Sequence, residues 1–203
     1  MVAMHCVIFA GGKSSRMGRD KALLPFGGYD TLVQYQYVRL KEIFEQVSIS
    51  TKEPATIPFA SSVIEDNVSK ELYAPTAGFC AMFESSAQER FFVLSVDAPF
   101  VGFAEIQKLV EKDRNEYDAT IAKTAGGIHP MCGIYHRSLH VKFQKMAASG
   151  RHRLGALLQE SHTCFVDFDT EAAFVNMNYR HEYESALLRV KKNVYGGAAS
   201  DLN

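Results

Sequence analysis

Residues 9–21 read Phe-Ala-Gly-Gly-Lys-Ser-Ser-Arg-Met-Gly-Arg-Asp-Lys, and they continue an apolar run, Cys6–Ala10, that has the pattern of a short buried strand. Two adjacent glycines let the backbone approach a ligand closely and point N–H groups at it. In an open α/β sheet, ligands bind beyond the carboxyl ends of the strands. The stretch therefore predicts a cradle for an anion, and the alternative is a solvated turn that carries some charge. The four basic residues of the stretch are Lys13, Arg16, Arg19 and Lys21, and its acid is Asp20.

The loop differs from two familiar phosphate-binding patterns. A P-loop reads G-x-x-x-x-G-K-[ST], but Val7 stands where its first glycine belongs. A Rossmann dinucleotide loop reads G-x-G-x-x-G, but Lys13 takes the place of its second glycine after Gly11. The loop is therefore an anion cradle of another kind.

Apolar runs alternate with helical patterns along the chain, which is typical of a βαβ protein with a mainly parallel sheet. Residues 31–46 carry apolar side chains from Val33 to Phe44 at helical spacing and predict an amphipathic helix. We expect one α/β domain over residues 1–192, a three-layer αβα Rossmann-like doubly wound fold, and a flexible tail over 193–203. The other predicted strands are Val47–Thr51, Ser62–Glu65, Phe91–Val96, Ala119–Lys123, Ile128–His136, Cys164–Phe168 and Phe174–Met177, and the other predicted helices cover 75–86, 103–113, 138–148, 153–160 and 180–190.

Composition excludes several classes of protein. The 203 residues include 22 Lys and Arg against 23 Asp and Glu, a net charge of −1, which argues against a nucleic-acid coat or a polybasic membrane binder. The four cysteines form no C-x-x-C pair, so neither a disulfide framework nor a zinc ribbon is expected. No apolar run reaches the roughly 18 residues of a membrane span, and the N-terminus lacks the basic start of a signal peptide. We therefore expect a cytoplasmic protein with reduced thiols.

Three polar residues stand at or near the ends of predicted strands. Asp97 follows the apolar run Phe91–Val96, so its carboxylate should lie at the ligand-binding edge of the sheet. A lone carboxylate there suits Mg²⁺, which takes few protein ligands and keeps waters and phosphate oxygens, and the alternative is that Asp97 caps the following helix. Asn176 and Asn178 are two apart on a predicted strand, so their side chains should share a face, unless they are turn residues.

The segment 136–153 is strongly basic. It contains five Lys or Arg residues, three His and no acid, so the rest of the chain is net negative. A second anionic ligand would explain such a patch, and the alternative is a solvated helix face. His129 and Cys132 have a spacing that a metal could use, but no second pair follows, and we expect a core thiol there. The five basic residues are Arg137, Lys142, Lys145, Arg151 and Arg153.

The 9–21 stretch resembles the signature loop of nucleotidyltransferases with the glycosyltransferase-A-like fold, [LA]-A-G-G-x-S-x-R-M-G-x-D-K. Its Arg-Met-Gly and Asp-Lys elements look most like one branch, the molybdenum cofactor guanylyltransferases. The chain departs from the pattern at Ser50, where Asn is frequent, and at Tyr179–Glu182, where the family usually continues T-P-E. Further segments similar to the family are Val63–Asp66, Pro75–Gly78, Val96–Phe100, His129–Met131, Gly150–Arg153 and Phe174–Asn178.

The resemblance implies an enzyme that transfers GMP from GTP to the terminal phosphate of molybdopterin, releases diphosphate and uses Mg²⁺ on Asp97. The catalytic residues that it implies are Arg16, Lys21 and Asp97. The implied nucleotide contacts are Phe9, Ala10, Gly11, Gly12, Lys21, Ser50, Asp66 and Asp97, and the implied molybdopterin contacts are Arg153, Asn176 and Asn178.

Other functions stay open at this point. A sister enzyme that uses CTP, or that attaches a nucleotide to a sugar phosphate, would need the same loop, although Asp20 and the chain length count against it. A non-enzymatic nucleotide-binding protein should have lost its charged site, whereas Arg16, Lys21 and Asp97 are present. We take a monomer as the default state. Because molybdopterin is reactive and scarce, we expect transient handover of ligands with proteins that make or deliver the molybdenum cofactor.

Overall fold

The structure, a computed structural model, describes residues 1–11, 20–66 and 75–196. The strands are β1 (Val2–Phe9), β2 (Phe44–Thr51), β3 (Val63–Glu65), β4 (Arg90–Ser95), β5 (Ala119–Thr124), β6 (Gly127–His136) and β7 (Thr163–Asp167). The α-helices are α1 (Leu32–Lys41), α2 (Pro75–Ser85), α3 (Phe103–Lys112), α4 (His140–Ser149), α5 (Leu154–Gln159) and α6 (Arg180–Gly196). Across these described ranges the strands form one seven-stranded sheet in the order β3-β2-β1-β4-β6-β5-β7. β6 runs antiparallel to both of its neighbours, and the other pairings are parallel.

Helices cover both faces of the sheet. Successive side chains of a strand point to opposite faces, so Cys6 and Ile8 of β1 pack with residues of α1, α3 and α6. Val7 and Phe9 pack with residues of α2, α4 and α5. Burial on both faces explains why the central strands read as continuous apolar runs. The predicted three-layer, mainly parallel α/β fold is confirmed.

The helix predicted over 31–46 is shorter in the structure. Thr31 caps it, with Oγ1 accepting the N–H of Gln34 at 3.1 Å. Phe44 continues the helical spacing, but it begins β2, and its buried ring lies 5.0 Å from that of Phe92 on β4. A contact between strands therefore ends the helix earlier than its periodicity predicts.

The predicted strand Phe174–Met177 is wrong, because this segment is irregular. Phe174 is buried through stacking on His129, with 4.8 Å between ring centroids. Met177 is also buried, and its N–H donates to the main-chain oxygen of Asp97 at 3.1 Å. The apolar residues are thus buried by side-chain packing without joining the sheet.

The last helix, predicted over 180–190, extends from Arg180 to Gly196. It therefore passes the expected end of the domain at Lys192. Residues 197–203 lie outside the described part of the chain, and the division into a domain and a flexible tail stays a prediction.

The carboxyl ends of the parallel strands form one edge of the sheet, and this edge positions the candidate site. β1, β3 and β4 end there, so Gly11, Asp66 and Asp97 lie beyond the same edge. β6 runs the other way and begins there. Gly150, in the left-handed conformation (φ 67°), ends α4 and turns the chain at this edge before α5.

Candidate active site

Asp97 and Lys21 form an ion pair at the carboxyl edge of the sheet. Asp97 is only 7% exposed, and its Oδ2 accepts a hydrogen bond from Lys21 Nζ. The same ammonium donates to Asn178 Oδ1 at 3.4 Å. The fold thus brings together a lysine, a carboxylate and an amide from three distant segments of the chain.

The Asp-Lys pair of the loop has a local structural reason. Asp20 precedes a short 3₁₀ turn, and its Oδ1 accepts the N–H of Ala22 at 3.0 Å. This capping bond places Lys21 at the first position of the turn. The N–H of Leu32 donates to Leu24 O at 2.7 Å, which joins the turn to the start of α1. The main chain of Lys21 is therefore held while its long side chain stays adjustable.

Asp97 does not cap the following helix, so that alternative is wrong. Gly102 occupies the N-cap position of α3, and its N–H donates to Glu105 Oε2 at 2.9 Å. Asp97 lies instead in a turn just after β4, where its main-chain oxygen accepts the N–H of Met177. Its carboxylate is left to face Lys21.

The oxygen atoms at this position fit a divalent cation. Asp97 Oδ1 is buried and has no hydrogen-bond partner among the described residues. Carboxylate and amide oxygens, here those of Asp97 and Asn178, are ligands that Mg²⁺ accepts while it keeps waters and phosphate oxygens. In the described ranges, no group of three or more His, Cys, Asp or Glu side chains could hold a metal. The site therefore resembles a metal position that is completed by ligand phosphates.

The expected nucleotide contacts lie beside the ends of β1 to β3. The N–H of Ala10 donates to Ser50 O at 2.9 Å, so Ala10 and the exposed Gly11 continue the line of β1. Asp66 lies just past β3, and its N–H donates to Thr51 O at 3.0 Å. The expected nucleotide contact Gly12 and the expected catalytic residue Arg16 lie outside the described residues.

Helix α2 packs closely on Phe9 and Ser50. A Cβ atom on Gly78 would lie 2.7 Å from Phe9 Cε1 and 3.0 Å from Ser50 Oγ, so glycine allows this approach. Ser50 is buried, and its hydroxyl lies next to α2. A side-chain contact between Ser50 and a nucleotide stays a prediction.

The structure separates the three residues expected to contact molybdopterin. Asn178 lies at Lys21, whereas Asn176 lines a cavity of about 120 Å³ with His129 and Phe174. Because the chain is irregular here, the expectation that the two asparagines share a strand face is wrong. Arg153 lines another cavity, of about 680 Å³, between α4 and α5.

The basic segment divides into structural and ligand-accessible cations. The guanidinium of Arg137 donates to three main-chain oxygens near the end of α2, those of Phe83, Ser86 and Gln88. Arg137 is therefore a structural residue. Lys142 forms an ion pair with Asp118 at 3.4 Å. The larger cavity is also lined by Lys145, Arg151 and Arg153.

Sequence analysis assigns no role to His129, which the structure places beside Asn176. Its Nε2 lies 3.0 Å from Thr124 Oγ1, and its ring stacks on Phe174. Burial lowers the pKa of His129, so its ring is neutral near pH 7. The match of His129–Met131 to a family segment is the signal that could have marked it.

Glu182 is the second residue without a predicted role. Its Oε2 accepts the N–H groups of Asn178 and Tyr179 at 2.6 and 2.9 Å. This is a capping interaction, and it holds the turn that carries Asn178. Although the chain lacks T-P-E, Glu182 stands one position after the place of the family's glutamate and provides the capping carboxylate. Helix α6 starts at Arg180.

An open, mainly parallel sheet with a lysine and a metal-fitting carboxylate at its carboxyl edge is the arrangement expected of a nucleotidyltransferase. The chain belongs to the family described as MobA-like NTP transferase domain, whose model matches residues 6–164. It is therefore an enzyme of the nucleotidyltransferase class.

Relatives match the chain over nearly its whole length. A protein of Campylobacter jejuni named molybdenum cofactor guanylyltransferase is 37% identical over 188 residues, 93% of this chain and 97% of the relative. A protein of Helicobacter pylori with the same name is 30% identical over 196 residues, 94% of this chain and 95% of the relative. The crystal structure of molybdopterin-guanine dinucleotide biosynthesis protein A from Archaeoglobus fulgidus shares the fold, with a TM-score of 0.77 and 20% identity over 93% of this chain and 100% of that one.

Among the helices of the described residues, none combines the length and the apolar character needed to cross a membrane.

Proposed function

We propose that this chain transfers GMP from GTP to the terminal phosphate of molybdopterin and releases diphosphate. The observation that carries the proposal is the cluster of Lys21, Asp97 and Asn178 at the carboxyl edge of the sheet. The cluster lies within a chain that is 37% identical to a molybdenum cofactor guanylyltransferase over 93% of its length. No feature of the described residues favours CTP or a sugar phosphate as a substrate.

The reaction is a displacement at the α-phosphorus of GTP. An oxygen of the acceptor phosphate forms a bond to that phosphorus, and the bond to the bridging oxygen of the β-phosphate breaks. The bridging oxygen keeps the electron pair and leaves as part of diphosphate. Because the acceptor is already an anion, no side chain has to remove a proton. Repulsion between anions is the main obstacle, so positioning and charge neutralisation supply the catalysis.

Lys21 and Asp97 carry opposite charges and therefore act on the phosphates in different ways. Lys21 binds phosphate oxygens and stabilises the charge on the leaving diphosphate, and Arg16 has the same role in our proposal. Asp97 and Asn178 hold a divalent cation, which we propose to be Mg²⁺. When bound, the cation neutralises phosphate charge and draws donor and acceptor together.

Backbone groups at the end of β1 receive the nucleoside. The N–H of Ala10 and the C=O of Phe9 already pair with Ser50 and Val96, so guanine would contact the remaining main-chain groups of residues 9–12 (Phe9, Ala10, Gly11 and Gly12). The hydrogen bond from the N–H of Ala10 to Ser50 O holds this segment as a continuation of β1. Asp66, beyond β3, completes the nucleotide contacts.

The acceptor binds on the other side of Asp97. Asn176 and the neutral ring of His129 border the smaller cavity, of about 120 Å³, and would contact part of the acceptor there. Arg153 supplies positive charge for the anionic end of the acceptor. His152 Nδ1 lies 2.7 Å from Thr76 Oγ1, which ties the loop that carries Arg153 to the first turn of α2 at the carboxyl edge.

We also propose that the enzyme acts as a monomer in the cytoplasm. Its four cysteines are free thiols, and two of them, Cys6 and Cys132, are buried. Molybdopterin is received from, and the dinucleotide passed to, other proteins of cofactor synthesis or delivery by transient contact.

Nucleotide transfer tests the proposal directly. Purified protein is incubated with molybdopterin, Mg²⁺ and one α-labelled nucleoside triphosphate at a time, and labelled dinucleotide is counted. We expect GTP to be used at least about tenfold better than CTP, ATP or UTP. Selective use of CTP would assign the chain to the cytidylyl branch, and no transfer from any nucleotide would contradict the proposal.

A further inference from the structure

Lys21 holds the position that a metal ion needs. Its Nζ donates to Asn178 Oδ1 and to Asp97 Oδ2, and Oδ2 belongs to the same carboxylate as the partnerless Oδ1 that fits the cation. The side chains are only 19% (Lys21) and 11% (Asp97) exposed, so solvent screens this pair weakly. The ammonium therefore neutralises the same carboxylate charge that a bound cation would neutralise.

An ammonium and a divalent cation cannot share these oxygens without strong repulsion. A metal that binds the Asp97 carboxylate without a nucleotide must therefore either displace Lys21 or bear repulsion from its ammonium a few ångströms away. A triphosphate changes this balance, because it offers Lys21 another anionic partner. We propose that Lys21 blocks the metal position until a nucleoside triphosphate draws its ammonium away, so that the metal binds with or after the nucleotide.

The surrounding structure lets the side chain move while the donors stay. The main chain of Lys21 is held by the Asp20 cap. Asn178 is held through its N–H by Glu182, and the main chain of Asp97 accepts a bond from Met177. Only rotations within the lysine side chain are needed to uncover Asp97. The proposal rests on the assignment of this edge to a nucleotide and its metal.

If Lys21 blocks the metal position, nucleotide binding raises the affinity for the metal, and metal binding raises the affinity for the nucleotide. By linkage, a nucleotide that raises metal affinity is itself bound more tightly when the metal is present, by the same factor. Couplings between linked sites are commonly about 5- to 150-fold. We expect a value in this range for the wild-type protein and a smaller one when residue 21 is neutral.

Mn²⁺ binding, followed by electron paramagnetic resonance of the free ion, tests the proposal without any turnover. The purified chain without nucleotide should bind Mn²⁺ weakly, and Lys21→Met should tighten binding at least about tenfold. Lys21→Arg keeps a cation and should remain weak. Lys123→Met is the matched control, because Lys123 pairs with Asp167 at 3.2 Å in an exposed position, with 45% and 75% of the side chains accessible. Asp97→Asn added to Lys21→Met should abolish the gain.

Equal Mn²⁺ affinity in the wild type, Lys21→Met and Lys123→Met would overturn the proposal, as would a gain that survives Asp97→Asn. Circular dichroism shows whether each variant is folded. Since these measurements contain neither GTP nor molybdopterin, their outcome is independent of which nucleotide the enzyme transfers. Failure of the proposed function would instead appear as missing GTP-dependent transfer by the wild type.

Discussion

Asp113 is a buried carboxylate whose removal should destabilise the fold without touching the candidate site. Its side chain is 0% exposed. It accepts hydrogen bonds from Arg90 Nη1, Thr120 Oγ1 and His136 Nε2 at 2.8, 2.7 and 2.9 Å. The cluster lies beyond the amino ends of β4 and β5, at the edge of the sheet opposite to Asp97. Asp113→Ala therefore tests stability separately from catalysis.

The magnitude follows from the partners that are left behind. Each hydrogen bond to a charged group is worth about 1.5–3 kcal/mol, but Arg90 is 40% exposed and regains water. We expect the free energy of unfolding to fall by about 3–5 kcal/mol, the range for a broken buried pair. At about 2–4 °C per kcal/mol for a chain of this size, Tm should fall by about 6–20 °C.

The loss of stability in Asp113→Ala should also depend on pH, because the Asp113 carboxylate titrates. Burial raises the pKa of Asp113, but hydrogen bonds from His136 and Thr120 outweigh this effect and leave the pKa below its usual value. A depressed pKa stabilises the fold above the unfolded value of about 4. This contribution disappears as pH falls through the lower folded value. The difference in unfolding free energy between wild type and Asp113→Ala should therefore be largest at neutral pH and shrink below about pH 4.

Urea unfolding followed by circular dichroism, at pH 7 and across the acid range, measures both effects. Asp169→Ala is the control, because Asp169 is an exposed acid, and we expect it to change the free energy of unfolding by no more than about 0.5 kcal/mol. A loss for Asp113→Ala that is no larger than the control's, or that does not shrink in acid, would refute the reasoning.

Four further variants, at three positions, test the site. Lys21→Ala should lower kcat for GMP transfer by about 10²–10³ while the protein still folds, and near wild-type turnover would remove Lys21 from the mechanism. Gly78→Ala places a Cβ 2.7 Å from Phe9 Cε1; calorimetry should show weaker GTP binding, and overpacking should cost about 1–3 kcal/mol in urea unfolding. Glu182→Ala releases the turn of Asn178 and should cost about 0.5–2 kcal/mol and lower transfer activity. Glu182→Gln, which keeps one acceptor oxygen, should restore most of that activity, and equal activity in all three proteins would contradict the role of the turn.

Several features of the site were predictable because their causes are local. The glycine pair after an apolar strand predicts a backbone that approaches a ligand, and this stays a prediction because Gly12 lies outside the described residues. Asp97 follows a strongly apolar run, so both the end of the strand and the position of the carboxylate at the sheet edge could be inferred from neighbouring residues. The αβα layering followed in the same way, because buried parallel strands and amphipathic helices leave different hydrophobic periods.

Other features depended on distant partners. Phe44 and Phe174 show that periodicity records burial but not its cause, since one ring packs within the sheet and the other stacks on His129 outside it. Arg137 had the charge of a ligand-binding residue, yet its partners are main-chain oxygens that the fold leaves at the end of α2. The role of a basic side chain can therefore be assigned only once its partners in the fold are known.

The sequence by itself determined the class of fold and the acidic residue at the sheet edge, because both follow from short-range patterns. It also predicts an anion-binding loop, most of which, residues 12–19, lies outside the described part of the chain. Only the tertiary structure decided that Lys21 rests on Asp97 and Asn178, 76 and 157 positions away. It also separated Asn176 and Arg153 into two different cavities. The physical reason is that ion pairs and cavities form between segments that meet only after the helices have packed on the sheet.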